Sequence, residues 1–210
     1  ILIICAHPDD ETLGLGGTIL LQTLKGSEVF VLIFSDGELS RGKVVSQVKQ
    51  REKQAKKAAK ILKIKEIKLL GYHDQKLDTI PLIELANQIE ESIKKWKPTI
   101  IYTHFWGDVN QDHKKIFEIT LIATRPTPNS KIKKIICFET PSSTEWGNQI
   151  FNPNLFVEIT PYLDKKIKSL NLYEHEMQEF PHPRSEKAII ARSHYWGSTI
   201  GVLNAEAFLV

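Results

Sequence analysis

Leu2-Ile3-Ile4-Cys5-Ala6-His7-Pro8-Asp9-Asp10-Glu11 stands near the start of the chain. A short apolar run without alternation reads as a strand buried on both faces, the kind found in parallel sheets. It ends in His7, Asp9, Asp10 and Glu11, which are costly beside a buried strand unless something pairs them. The first half of this pattern recurs. EVFVLIFS (28–35) precedes a helical period over about 45–62, and EIKLLGY (66–72) one over about 81–96. TIIYTH (99–104) precedes a period over about 113–123, and IKKIICFE (132–139) follows. After the first strand we expect a Gly-rich loop and a helix over about 18–24. Apolar strands alternating with amphipathic helices predict a Rossmann-like, doubly wound α/β fold: a mostly parallel sheet sandwiched by helices. Beyond Glu139 a surface loop (140–154), a strand (156–160) and helices over about 161–177 and 185–197 are expected, the last two separated by 182–184. No linker divides the chain, so 1–210 reads as one domain.

Composition narrows the class. Of the 210 residues, 41% are hydrophobic and 25% charged, which excludes collagen, intrinsic disorder and a disulfide scaffold. A net charge of +3 is no basis for nucleic-acid or acidic-membrane binding. Lys53, Lys56, Lys57 and Lys60 read as a solvated helix face. Cys5 and Cys137 lie in apolar strands and read as buried thiols in a reducing compartment, which points to the cytoplasm. No apolar run approaches the roughly 20 residues that span a bilayer. The chain starts at Ile1, without Met and directly in a strand, so we expect its native start to lie upstream.

In a doubly wound sheet the chemistry gathers where loops leave the C-terminal strand ends, at the point where strand order reverses. After the first strand, His7 and Asp10 have metal-ligand spacing: an imidazole and a carboxylate three apart on a turn reach one cation. Asp9 is left beside that cation, where a general base belongs. Gly14-Leu15-Gly16-Gly17 fits a dinucleotide loop poorly, because the third glycine position is Ile19. After the fourth strand, Thr103-His104-Phe105-Trp106-Gly107-Asp108-Val109-Asn110-Gln111-Asp112-His113 brings a second polar loop to the same edge. His113, which opens a helix, and His104, nearer the strand end, compete as third ligand. Three ligands with an open position make a catalytic arrangement. Ser35-Asp36-Gly37-Glu38 and His73-Asp74 add polar groups at other strand ends, where turn chemistry is the competing reading. Arg51 lies inside the apolar stripe Val48, Ala55, Ala59 and Leu62, so its guanidinium needs an anionic partner or a site to face.

His7-Pro8-Asp9-Asp10-Glu11 followed by Gly-Leu-Gly-Gly resembles the opening motif of the PIG-L/LmbE-like metal-dependent deacetylases. The resemblance continues through Ser35-Asp36-Gly37-Glu38, Gln50-Arg51-Glu52, Leu70-Gly71-Tyr72-His73-Asp74 and Asp112-His113. It closes on Gly201-Val202-Leu203-Asn204-Ala205-Glu206-Ala207-Phe208. It implies that His7, Asp10 and His113 bind Zn²⁺, with Fe²⁺, Co²⁺ or Mn²⁺ as alternatives. It further implies that Asp9 is the general base and that Arg51 faces the substrate. His104 then moves to a place behind the ligands or in the pocket wall. Many members have His-x-Asp-His where this chain has Asn110-Gln111-Asp112-His113. Asn110 donates a hydrogen bond but carries no proton across, and Asp112 is left to orient the metal site. Candidates for the acid are His182, His194 and Asp9 returning its own proton. The implied activity is removal of the acetyl group from an N-acetylglucosamine-type sugar or glycoconjugate, releasing acetate and a free amine. Asp9, Asp112 and His182 are the expected catalytic residues. Arg51, Asn110, Asp36 and His104 are the expected substrate contacts, with Trp106, Tyr72 and Trp146 as candidates for a sugar-stacking wall. A trimer or hexamer is also implied. The competing readings are a metal-binding homologue without turnover and a nucleotide-binding module.

Overall fold

The computed structural model describes residues 1–41, 45–128 and 130–210. Seven strands form one sheet in the order β3-β2-β1-β4-β5-β7-β6. The strands are β1 (Leu2–Cys5), β2 (Phe30–Ser35), β3 (Glu66–Tyr72), β4 (Ile100–His104), β5 (Lys134–Phe138), β6 (Leu155–Glu158) and β7 (Ala205–Leu209). The first five run parallel, and β7 is antiparallel to both β5 and β6. The mostly parallel, helix-flanked sheet expected from the apolar runs is therefore the fold. β7 was not anticipated as a strand, because AEAFL interleaves a charge with its apolar residues and looks unlike its parallel neighbours.

Alternate residues of each strand serve opposite faces. Leu2, Ile4, Leu32 and Phe34 pack with Leu85 and Ile89 of α3 (Leu82–Trp96) and Ile116 and Ile119 of α4 (Gln111–Ala123). Ile3, Cys5, Val31 and Ile33 pack with Leu15, Ile19 and Leu20 of α1 (Asp10–Leu24). α2 (Val45–Ile61) and α5 (Leu163–Leu170) lie against each other, and α6 (Glu186–Ile200) packs against β7. Both cysteines are free and buried. None of the described helices is long and apolar enough to cross a membrane.

Two helices differ from expectation, and both differences shape the site. α1 begins at Asp10 rather than near residue 18, winding through the glycines. The reason is contact. A Cβ at Gly14 would stand 2.4 Å from Phe138, and one at Gly17 would stand 2.6 Å from Ile159. The glycines thus let a helix lie close on the sheet, the packing role rather than a phosphate cradle. The helix breaks at Leu15 (φ −148°, ψ 25°). A buried ion pair bridges the break. The Glu206 carboxylate accepts from Gly17 N (2.9 Å) and Thr18 N (2.7 Å), and Lys166 Nζ donates to Leu13 O (2.8 Å) and Glu206 (2.6 Å). These groups serve the amides and the carbonyl that an interrupted helix leaves without partners. The second difference is α5, which stops at Leu170 instead of running to 177. The chain beyond it folds back through turns toward the C-terminal strand ends.

Candidate metal centre

Strand order reverses between β1 and β4, so the loops after these strands face one another across a crevice. His7 leaves β1. Its backbone N–H donates to Asp10 Oδ2 (2.7 Å), closing the turn that starts α1. Asn110 caps α4 through Oδ1, which accepts from Asp112 N (2.8 Å), and this sets His113 in the helix's first turn.

Three acceptor atoms converge. His7 Nδ1 lies 3.1 Å from His113 Nε2, and Asp10 Oδ2 lies 3.4 Å and 3.6 Å from them. The far nitrogen of each imidazole faces carboxylates. His113 Nδ1 is 3.1 Å from Asp108 Oδ2, while His7 Nε2 is 2.9 Å from Asp74 Oδ1 and 3.4 Å from Asp112 Oδ2. A neutral ring oriented this way carries its proton on the carboxylate side and turns a lone pair inward. With a cation bound, two inward lone pairs and a carboxylate oxygen would face it together. A tetrahedral ion with bonds of about 2.0–2.1 Å needs ligand atoms about 3.3 Å apart, which is the spacing found. Asp10 Oδ1 is buried without a hydrogen-bond partner. The donor set therefore fits a divalent cation. In the ion-free chain burial opposes charge on His7, but Asp10, Asp112 and Asp74 outweigh it and hold its pKa well above the ordinary value.

The support around these ligands is buried. Burial and the neighbouring His113 push His104 down to about 4, so it is neutral. Its Nε2 accepts from Ala6 N (3.0 Å), its ring stacks on His113 at 4.0 Å, and its Nδ1 meets Thr140 Oγ1 at 3.2 Å. Asp108 takes Thr144 Oγ1 (2.8 Å), Asn110 N (2.8 Å) and Ser143 Oγ. Against burial, His113 and these donors hold its pKa down to about 2. Asp112 accepts from Gln75 N (2.8 Å) and Leu77 N (3.3 Å), tying the loop after β3 to α4.

Asp9 sits beside the ligands with φ at 125°, a backbone state rare for a residue with a Cβ and met most often at functional sites. Burial raises its pKa, and Arg184 and Arg51 oppose that rise. Two cavities flank the ligands. One of about 440 Å³ is lined by Asn110, His113, Ser143, Trp146, His182 and Arg184. The other, about 140 Å³, is lined by His7, Asp9, Arg51, Asp74, Asn110 and Arg184. A cavity of about 520 Å³ lies apart from all these groups, against Ile93, Lys97, Ile122 and Ile132.

The structure thus gathers His7, Asp9, Asp10, Asn110, Asp112, His113, Arg51 and His182 around one crevice. Asp36 takes another place: its Oδ1 accepts from Glu38 N (2.8 Å) and Leu39 N (2.9 Å), shaping the loop, and it lines neither flanking cavity. His104 is fully buried behind the ligands rather than in a cavity wall. His194 is exposed on α6. Among the aromatic candidates Trp146 lines the larger cavity, Tyr72 stacks on Phe34, and Trp106 packs on Phe105 and Phe117. Sequence reading assigned no role to Asp108, Glu176 or Arg184. Asp108 stood in the loop already under scrutiny, whereas Glu176 and Arg184 come from a segment read as helix and spacer.

Fold and site together define a doubly wound protein with a candidate cation site at its switch point and a carboxylate beside it. Residues 2–124 match the family model described as PIG-L: GlcNAc-PI de-N-acetylase, and the chain belongs to that family. The chain is 27% identical over 181 residues to the probable N-acetyl-alpha-D-glucosaminyl L-malate deacetylase 2 of Bacillus anthracis, covering 82% of this chain and 79% of that one. It is 27% identical over 220 aligned positions to the diacetylchitobiose deacetylase of Thermococcus kodakarensis, with 98% and 80% covered. The crystal structure of the conserved protein TT1542 from Thermus thermophilus shares the fold. Its TM-score is 0.81 at 23% identity, over 100% of this chain and 93% of that one.

Proposed function

We propose that this protein is a zinc-dependent N-deacetylase that hydrolyses the acetamide of an N-acetylglucosamine-type sugar or conjugate. One observation carries this reading: two imidazole nitrogens and a carboxylate oxygen converge within 3.6 Å of one another, next to a second carboxylate. Family membership and the activities named for the two relatives support it.

His7, Asp10 and His113 would hold the ion, which when bound supplies Lewis acidity toward a carbonyl and brings the pKa of water toward 7. Asp9 takes a proton from the attacking water. The hydroxyl joins the acetyl carbon, the C–N bond breaks, and the nitrogen gains a proton and leaves as the free amine. Asn110 lines both flanking cavities and has its Oδ1 committed to the helix cap, so its Nδ2–H is the donor offered to the acetyl oxygen. His182 Nδ1 accepts from Arg184 N (3.1 Å), which leaves Nε2 as its proton-bearing atom in the larger cavity. His182 Nε2 or the proton held by Asp9 then serves the leaving amine. Trp146, about half exposed on the same cavity, offers a face for a pyranose ring. The two free, buried thiols fit a cytoplasmic enzyme.

The test is mass spectrometry of acetylated sugars and glycoconjugates after incubation with the zinc-loaded protein. One substrate is expected to lose about 42 Da, the net change when water cleaves the amide and hydrogen replaces acetyl on the nitrogen. No mass change across the panel, with metal bound, would overturn the reading.

A further inference from the structure

Four charged side chains from distant parts of the chain close a ring beside the ligands. Asp9 Oδ2 lies 2.8 Å from Arg184 Nη1 and 3.1 Å from Arg51 Nη2. Glu176 meets the same two guanidiniums, Arg184 Nη1 at 2.8 Å and Arg51 Nη1 at 2.7 Å. The ring is held from outside as well. Arg51 Nε donates to Pro8 O (2.9 Å), with its guanidinium over the Tyr173 ring, and Arg184 Nε donates to Ser142 Oγ (2.6 Å). Asp9, Arg51 and Glu176 are buried, and the Arg184 side chain is 14% exposed.

Burying charges is costly, and apolar residues of similar volume often stabilise a fold equally well or better. A ring of this kind therefore calls for a reason beyond stability. Its charges sum to zero, so it offers no surplus cation to recruit an anionic substrate. What it does is geometric. Both guanidiniums engage Oδ2 of Asp9 and leave Oδ1, which is buried without a hydrogen-bond partner. Resting on the deacetylase reading, we propose that Arg51, Arg184 and Glu176 are positioning residues, a clamp that fixes Asp9 by Oδ2 and presents Oδ1 to the reacting water. Glu176 holds the arginines at a common spacing, and the segment after α5 delivers it together with Arg184. Arg51 and Arg184 then act through Asp9 rather than by binding the sugar.

Arg184→Ala and Arg184→Lys are compared with the wild type on the sugar that the wild type deacetylates. Substrate affinity is measured by calorimetry in Asp9→Asn with and without Arg184→Ala. A carboxylate displaced by about 1 Å costs on the order of 10²-fold in rate, so Arg184→Ala is expected to lower kcat by about 100-fold. KM stays within about twofold, because ground-state binding is untouched. Arg184→Lys restores part of the loss, since a point charge replaces the fork. In the Asp9→Asn background Arg184→Ala changes neither Kd nor the residual rate. A Kd weakened about tenfold there, the sign of a lost substrate contact, would overturn the clamp. So would an unchanged kcat in Arg184→Ala, and if the alanine variant does not fold, an unchanged kcat in the lysine variant does the same. Turnover by the wild type keeps these failures separate from failure of the deacetylase reading, which shows as no acetate released at all.

Discussion

The crevice has two walls built in different ways. The ligand wall comes from two short loops on adjacent strands, and its parts are near neighbours in sequence: His7 with Asp10, and Asp108 with His113. The arginine wall joins residues 9, 51, 176 and 184, from the loop after β1, from α2 and from the segment after α5. The ligand wall is a motif, and the arginine wall is a product of tertiary folding. The comparison teaches that atoms needing one fixed geometry can be coded locally, whereas groups that tune them can be recruited from wherever the fold brings them near.

If the walls divide the labour this way, substitutions in the ligand wall cost metal and those in the arginine wall cost rate. The largest effect is expected for His113→Ala, which loses stoichiometric metal by elemental analysis and reduces turnover to background; full metal content would break the division. Next is Asp108→Asn. The carboxylate that fixes the His113 tautomer and ring is lost, and calorimetry should show metal affinity 10–100-fold weaker, roughly the cost of losing such a partner. Retained affinity would mean that Ser143 and Thr144 suffice. The third effect concerns stability and leaves the chemistry untouched. His104 is held at about 4 in the fold against 6.5 for an unstrained imidazole. Between those values the unfolded chain binds the proton and the folded chain does not, so the contribution of His104 to stability is complete above about pH 6.5 and is lost as pH falls toward 4. The loss is up to about 3 kcal/mol. Thermal melting of the metal-free protein should trace that slope, and His104→Gln should flatten it; an identical slope in the variant would place the titration elsewhere.

Much of this was legible in the sequence, for physical reasons. Apolar runs without alternation, such as Phe30 to Phe34, announce strands covered on both faces. His7, Asp9, Asp10 and His113 were legible because each sits immediately after a strand or at a helix start, where ionisable groups have few innocent uses. Asp36 has the same kind of address and serves its own turn, so position alone does not separate chemistry from loop building. Glu176 and Arg184 were illegible because the salt bridge between Arg184 and Asp9 spans 175 positions and leaves no period or spacing behind. The same holds for the start of α1, where the glycines answer to the closeness of Phe138 and Ile159, residues far along the chain.

The bridge across the break in α1 bears on how the molecule comes into being. The amides of Gly17 and Thr18 wait for a carboxylate 189 and 188 residues further along the chain. Closing so long a loop is entropically expensive and kinetically slow. While a nascent chain is still leaving the ribosome, its first helix has neither Glu206 nor Lys166 to stitch its halves together. The turn carrying Asp9 and Asp10 leads directly into that helix, so metal capture should come late, after β7 has docked, and should mark completed folding rather than start it.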